Sequence, residues 1–206
     1  AYEFARRTGR SSRPRFLGLQ GAYHGDTVGA VSVGHIDLFH RTYAGLLFRT
    51  DAVMAPYCYR CPFNRARPGR SDAREYRQCR WECVDKVEQR IQSQRRRGHP
   101  YAAMVLEPLL QGAAGMVPQP EGWLARVAEI LRADGVQLIA DEVMTGFGRT
   151  GVLRKPRRAA QPGLFACHRE GVQPDFLAVA KGLTGGYLPM AATLTTPAVF
   201  DAFLGE

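Results

Sequence analysis

The sequence predicts an α/β domain built on an open, mostly parallel sheet, with a ligand crevice at the carboxyl ends of its strands. Three observations carry this. Short apolar runs alternate with segments of helical periodicity, the signature of strand and helix in turn. Three of the runs end on an ionisable residue: Glu107 after YAAMVL, Asp141 after VQLIA and Lys181 after FLAVA. Gly-rich turns follow two of them, around Gly146-Phe147-Gly148 and from Gly182 to Gly186. Open α/β sheets take their ligands at such strand ends.

In chain order, Phe16-Leu17-Gly18-Leu19 reads as a strand, and residues 83–97 as a helix with a strongly basic tail. Tyr101 to Leu106 reads as a buried strand ending at Glu107-Pro108. Trp123 to Ala133 has apolar residues at helical spacing: Trp123, Leu124, Val127, Ile130 and Leu131. Val136 to Ala140 reads as a strand delivering Asp141-Glu142, and Phe176 to Ala180 as one delivering Lys181. Met190 to Leu194 reads as a third strand of this kind, and Pro197 to Phe203 as a helix with proline in its first turn. There are no internal repeats.

At 206 residues, 45% of them hydrophobic, the chain is long enough for one domain with a real core. No apolar run reaches the ~18 residues of a membrane span, so no membrane partner is expected. The chain opens at Ala1 in an Arg-rich stretch without a secretory leader, which reads as an internal piece of a longer protein. Its net charge of +9 invites nucleic-acid binding. However, twenty of the 28 basic residues fall in four short polar stretches, 6–15, 60–80, 90–97 and 154–158, with no nucleic-acid-reading motif beside them. Like charges at that density belong in water, and no nucleic-acid partner is expected.

A lysine at a Gly-rich strand exit, held in a desolvated crevice, has a lowered pKa and a nucleophilic amine. Such an amine condenses with aldehydes, including that of pyridoxal phosphate. That cofactor needs a carboxylate against its ring nitrogen, for which Asp141 is the candidate, and an aromatic wall, for which Tyr23 is. A strand-end carboxylate seen alone is as well explained by capping the next helix, a reading that stays open for Glu107 and Glu142.

Four stretches in this order resemble the class III aminotransferases. They are Tyr23-His24-Gly25-Asp26-Thr27; Leu106-Glu107-Pro108 with Gln111-Gly112; Asp141-Glu142-Val143 with Thr145-Gly146-Phe147-Gly148-Arg149-Thr150-Gly151; and Lys181-Gly182-Leu183-Thr184-Gly185-Gly186. The resemblance runs from about Phe16 to Leu204. Within the class, Tyr23 to Gly34 and Lys181 to Thr196 are similar to the adenosylmethionine-dependent branch that makes 7,8-diaminononanoate in biotin synthesis.

The resemblance implies an aspartate-aminotransferase-like type I fold, with residues 1–206 forming the central part of the large pyridoxal-phosphate-binding domain. It places an N-terminal segment and a small C-terminal domain outside the chain. It implies a cytoplasmic homodimer that uses pyridoxal 5'-phosphate to move an amino group from S-adenosylmethionine to 8-amino-7-oxononanoate, with the piece alone inactive. By motif, Lys181 is the residue that binds the cofactor covalently and shuttles protons, and Asp141 pairs with the ring nitrogen. Tyr23 and Val143 cover the two ring faces, while Asp26, with Tyr23, lies near the substrate. Alternatives are another class III ω-amino-acid or diamine aminotransferase, or an inactive truncated copy.

Two features depart from the pattern. Asp141 and Lys181 are 40 positions apart, further than the resemblance implies, and the basic, proline-containing stretch 154–163 between them reads as a loop insertion. Cys58-x-x-Cys61 and Cys79-x-x-x-Cys83 approach a four-thiolate zinc spacing, with free thiols or a disulfide as the other readings. An odd total of five cysteines favours reduced thiols in a reducing cytoplasm and no bound metal.

Overall fold

The computed structural model describes residues 1–66, 77–151 and 163–205. In chain order its elements are α1 (Tyr2–Arg7), β1 (Arg15–Leu19), α2 (Val28–Val33), α3 (Asp37–His40), β2 (Asp51–Val53), α4 (Glu82–Arg96), β3 (Tyr101–Leu106) and β4 (Leu110–Gln111). There follow β5 (Val117–Pro118), α5 (Trp123–Ala133), β6 (Gln137–Asp141), β7 (Phe176–Val179), β8 (Ala192–Thr195) and α6 (Pro197–Asp201).

Six strands form one sheet in the order β2-β1-β3-β6-β7-β8. The first five run parallel, and β8 closes the edge antiparallel to β7. The mostly parallel α/β sheet expected from the sequence is therefore present. β3 occupies a central position and all six of its residues are buried, which is why its sequence is a continuous apolar run rather than an alternating one.

Side-chain alternation along the strands divides the core. Leu17, Leu19, Met104, Leu106, Leu138 and Ala140 point to one face, where Val87 and Ile91 of α4 and Trp123, Leu124, Val127 and Leu131 of α5 cover them. Phe16, Ala103, Val105 and Ile139 point to the other face and meet Val33. Phe4 of α1 joins Phe176 and Val199 on that same side.

α5 spans the residues its periodicity predicts, and α4, β3, β6, β7, β8 and α6 fall within one or two residues of their expected bounds. α4 carries Glu82 and Asp85 in its first turn and Arg95 and Arg96 in its last, the arrangement a helix dipole favours. Six helical or strand elements lacked a readable pattern, among them the two-residue strands β4 and β5. α1 buries only Phe4 and Ala5 within an Arg-rich stretch, and α3 and β2 are four and three residues long. α2 is rich in β-branched residues but is started by Thr27, whose hydroxyl accepts the Ala30 backbone N–H at 3.4 Å.

The arginines are less uniformly solvated than the sequence suggests. Arg6 and Arg7 pair with Glu3 at the surface. Arg90, by contrast, donates to Asp51 at 2.5 Å and to the Tyr101 hydroxyl at 3.0 Å, because its helix passes over the amino ends of β2 and β3. The insertion at 154–163 lies outside the described residues apart from Gly163. Its neighbours do not: Leu164 O accepts the Gly148 N–H at 2.9 Å, and Arg169 bonds the carbonyls of Thr150 and Gly151.

Candidate active site

The carboxyl ends of β1, β3, β6 and β7 lie side by side because those strands are parallel neighbours. Asp141 is the last residue of β6, and both of its oxygens are engaged. Oδ2 lies 2.8 Å from Nδ1 of His24, in the turn after β1, and Oδ1 accepts the Val143 backbone N–H at 3.1 Å. The His24 and Asp141 side chains keep only 4% and 11% of their surface, so the pair acts in a medium that screens charge poorly.

Tyr23, next to His24, donates its hydroxyl to Oδ1 of Asp26 at 3.0 Å. Burial and the Asp26 carboxylate push the phenol up, which keeps it protonated and able to donate. Its ring lies parallel to that of His40, 6.4 Å away with an interplanar angle of 4°, and edge-on to Phe39 at 5.8 Å. Val143 is half-buried beside Asp141.

Lys181 stands just past the end of β7, whose Ala178 is in register with Asp141. Its φ is +37°, left-handed backbone that a non-glycine residue adopts only under constraint. The following glycine is required by packing: a Cβ at Gly182 would sit 3.0 Å from the Phe147 side chain, which itself packs edge-on to Phe165. The desolvated setting expected for Lys181 is not supplied by the described residues. Its side chain is exposed, because the strand beyond it, β8, is an edge with all four residues open.

The two doubtful carboxylates separate. Glu142 is fully buried and turns away from the crevice. It accepts the Cys167 N–H at 2.7 Å, the Ala166 N–H at 2.8 Å and the Thr145 hydroxyl at 2.7 Å, tying the strand end to the segment that leads into β7. Glu107 stays at the crevice, at the end of the central strand. One oxygen accepts the Gly112 N–H at 2.8 Å, and Gln119 fixes its backbone by donating to Glu107 O at 2.8 Å. Burial raises its pKa, against the favourable influence of the Gly112 N–H and His24.

Tyr23, Asp26, Asp141 and Val143 are thus brought together, while Lys181 shares the same rim without a hydrogen bond to them among the described residues. The residue that motif reading passed over is His24. Its one signal in the sequence was its place directly after the candidate stacking ring; the sheet order sets it against Asp141.

All five cysteines are unpaired. Burial raises the Cys58 thiol to about 11 and the Cys83 thiol to about 12, so both are uncharged near neutrality. Among the described residues no group of three or more His, Cys, Asp or Glu is arranged to hold a metal ion. None of the described helices is long and apolar enough to cross a membrane.

This sheet with this rim is the architecture of fold type I transaminases. The chain superimposes on an adenosylmethionine-8-amino-7-oxononanoate aminotransferase from Methanocaldococcus jannaschii with a TM-score of 0.78 at 35% identity, covering 100% of this chain and 40% of that one. An amine transaminase from an uncultivated Pseudomonas species, solved in its PLP-bound internal aldimine form, gives a TM-score of 0.76 at 31% identity over 97% of this chain and 40% of that one. All 206 residues match the class III aminotransferase family, and the chain belongs to it. An adenosylmethionine-8-amino-7-oxononanoate aminotransferase from Geobacter sulfurreducens is 47% identical over the whole chain. The chain spans 41% of that relative's length.

Proposed function

We propose that the protein carrying this chain is a pyridoxal-phosphate-dependent aminotransferase that moves the amino group of S-adenosylmethionine to 8-amino-7-oxononanoate. The observation that carries this reading is the Asp141 carboxylate, buried at a strand end with both oxygens held, on the same rim as Tyr23 and Lys181.

These residues fit the cofactor. A carboxylate held out of water by one ring nitrogen and one backbone amide suits a cationic aromatic N–H, and an exposed lysine amine on the neighbouring strand end suits an aldehyde. When bound, pyridoxal phosphate supplies an electron sink for chemistry at the substrate's amine-bearing carbon. The chain's own residues do the rest. Asp141 would pair with the ring nitrogen and favour a proton on it, with His24 and the Val143 N–H keeping its carboxylate aimed. Tyr23 and Val143 would supply the aromatic and aliphatic walls against the ring, and Asp26 would lie within reach of the substrate's amino group. Lys181 would hold the cofactor through its amine, which, once free, would serve to take up and return a proton.

The choice of substrates rests on the relatives from Geobacter and Methanocaldococcus, whose names state that activity. Exposed apolar side chains at Val28, Leu38, Phe39, Tyr43, Leu46 and Phe48 support a homodimer that buries them, and unpaired thiols suit the cytoplasm. The test is a donor and acceptor comparison on the full-length protein. Transfer to 8-amino-7-oxononanoate with adenosylmethionine as donor is expected. Transfer confined to ω-amino acids or diamines would replace this reading with the broader class III activity.

A further inference from the structure

Phe147 and Lys181 lie past the ends of neighbouring strands, the first in the turn after β6 and the second just beyond β7. Both have left-handed backbone, at φ +60° and +37°. Residues that carry a Cβ keep such backbone only where their surroundings impose it. At Phe147 the constraint is plain. Glu142 accepts the Gly146 N–H on its backbone oxygen at 2.9 Å, while its carboxylate takes the N–H groups of Ala166 and Cys167. The Gly148 N–H closes the clamp on Leu164 O at 2.9 Å. The turn and residues 164–167 are therefore tied together, and the Phe165 ring meets the Phe147 ring edge-on, 5.5 Å between centroids at 70°.

The other side of Phe147 leans on Gly182. A Cβ placed on that glycine would lie 3.0 Å from both Cβ and Cδ2 of Phe147 and 3.2 Å from Cγ, so side chain and main chain touch with no room to spare. At Lys181 the local bonds hold less firmly. The Leu183 N–H reaches Ala180 O at 2.9 Å, and the Thr184 N–H reaches Lys181 O at only 3.4 Å. The neighbouring strand β8 is an exposed edge. Phe147 is thus a rigid group, fixed from behind by Phe165, that packs on the main chain directly after the lysine.

We infer that Phe147 is a positioning residue for Lys181: wedged between Phe165 and Gly182, it holds the lysine's backbone left-handed, so that the amine is presented at one place on the rim. The inference rests on the reading above that Lys181 bonds the cofactor. A ring that only fills space at the margin of the core, where Phe147 also packs, would matter to stability alone. A ring that sets the lysine matters to whatever the lysine bonds.

The experiment uses the full-length protein stripped of cofactor and compares its dissociation constants for pyridoxal phosphate and pyridoxamine phosphate. The first carries an aldehyde that condenses with a lysine amine; the second carries an amine in its place and cannot. The rest of the molecule is shared, so the ratio of the two constants isolates the bond to the lysine. Phe147→Ala is expected to cut the native preference for the aldehyde form about tenfold, within what release of strained backbone allows, and to leave the affinity for pyridoxamine phosphate unchanged. Phe147→Tyr, which keeps the ring, should retain the native ratio. An unchanged ratio in Phe147→Ala overturns the inference, and so does equal weakening of both forms, the mark of a general packing defect.

Phe165→Ala should lower the same ratio, because it removes the group that backs Phe147. The double variant should lose no more than Phe147→Ala alone, since the two rings act in series; losses that add overturn the inference. Should Phe147→Ala not fold, Phe165→Ala decides by the same ratio. Lys181→Ala separates this from the parent reading. If the preference for the aldehyde form survives it, another lysine bonds the cofactor and the reading falls. If the preference vanishes there while Phe147→Ala keeps the native ratio, only the role of Phe147 falls.

Discussion

At the amino ends of β1, β2 and β3, the first residues of the strands, Arg15, Asp51 and Tyr101, meet Arg90 and Gln94 of α4. There Asp51 takes hydrogen bonds from Tyr101 at 2.5 Å, Arg90 at 2.5 Å and Gln94 at 3.3 Å, with Arg15 at 3.5 Å. At the carboxyl ends of the same sheet, Asp141 has His24 and one backbone amide, Glu107 and His24 each keep a buried atom without a partner among the described residues, and Lys181 is exposed on left-handed backbone. One end matches its charges and holds the fold. The amino end also leaves one buried atom unpartnered, Gln94 Oε1, but only the carboxyl end combines unpartnered ionisable groups with left-handed backbone at Lys181, as a site does when a ligand completes it. The pKa directions agree. Burial opposes the charge on Asp51, but bonds from Tyr101 and Arg90 outweigh it and its pKa falls, whereas burial prevails at Glu107 and its pKa rises.

The comparison breaks most sharply if the two ends respond alike to mutation. Asp141→Asn should lower the activity of the full-length protein by about a thousandfold, ~4 kcal/mol in the barrier, with little change in melting temperature. An active variant would show that this aspartate serves the fold and not the site.

Asp51→Ala should do the reverse. It strands the Arg90 guanidinium and the Tyr101 hydroxyl, at about 2 kcal/mol of stability by urea unfolding, the cost of losing a hydrogen bond to a charged group. Cofactor affinity should not change. Because the folded pKa of Asp51 lies below its unfolded value, near 3.9, its contribution is complete above that pH and is lost as pH falls through the folded value.

Glu107→Gln sharpens the contrast with a gain. The folded pKa of Glu107 lies above its unfolded value, near 4.3, so ionising it in the fold costs stability as pH rises from there. The variant should be more stable than native at neutral pH, with the difference shrinking toward zero as pH falls to about 4. An equal difference at both pH values would show that the buried carboxylate charge is not the cause.

Removal of residues 154–163 should have the smallest effect. Gly151 O would lie 3.8 Å from a Cβ placed on Gly163, so the described residues on either side of the segment already adjoin. Deletion should change stability by no more than ~0.6 kcal/mol, the scale set by loop length. Unfolding on deletion would mean that the segment packs on the core.

The sheet was legible where burial on both faces wrote a continuous apolar run, as in β3, and α5 was legible from its stripe of Trp123, Leu124, Val127 and Leu131. The short elements without an apolar run or a proline start, α1, α3 and β2, were not, because so few positions carry no period; α2 is a helix through the Thr27 cap, against its β-branched composition. At the site, the ionisable residue closing each strand was visible, since a polar residue after an apolar run is conspicuous. Which carboxylate faces the crevice was not. Glu142 and Asp141 are adjacent in sequence and differ only in which way the strand turns their side chains. His24 was hidden for a similar reason: its role depends on β1 and β6 flanking β3, which only the sheet order reveals.

The claim that the carboxyl end of this sheet is a pyridoxal phosphate site is tested most directly by borohydride reduction of the full-length protein with its cofactor, followed by mass mapping of the modified peptides. The chain has only three lysines, Lys86, Lys155 and Lys181, which makes the answer unambiguous within it. A phosphopyridoxyl group on the Lys181 peptide is predicted. The same group on Lys86, on Lys155 or on a lysine elsewhere in the protein, with Lys181 unmodified, would contradict the account.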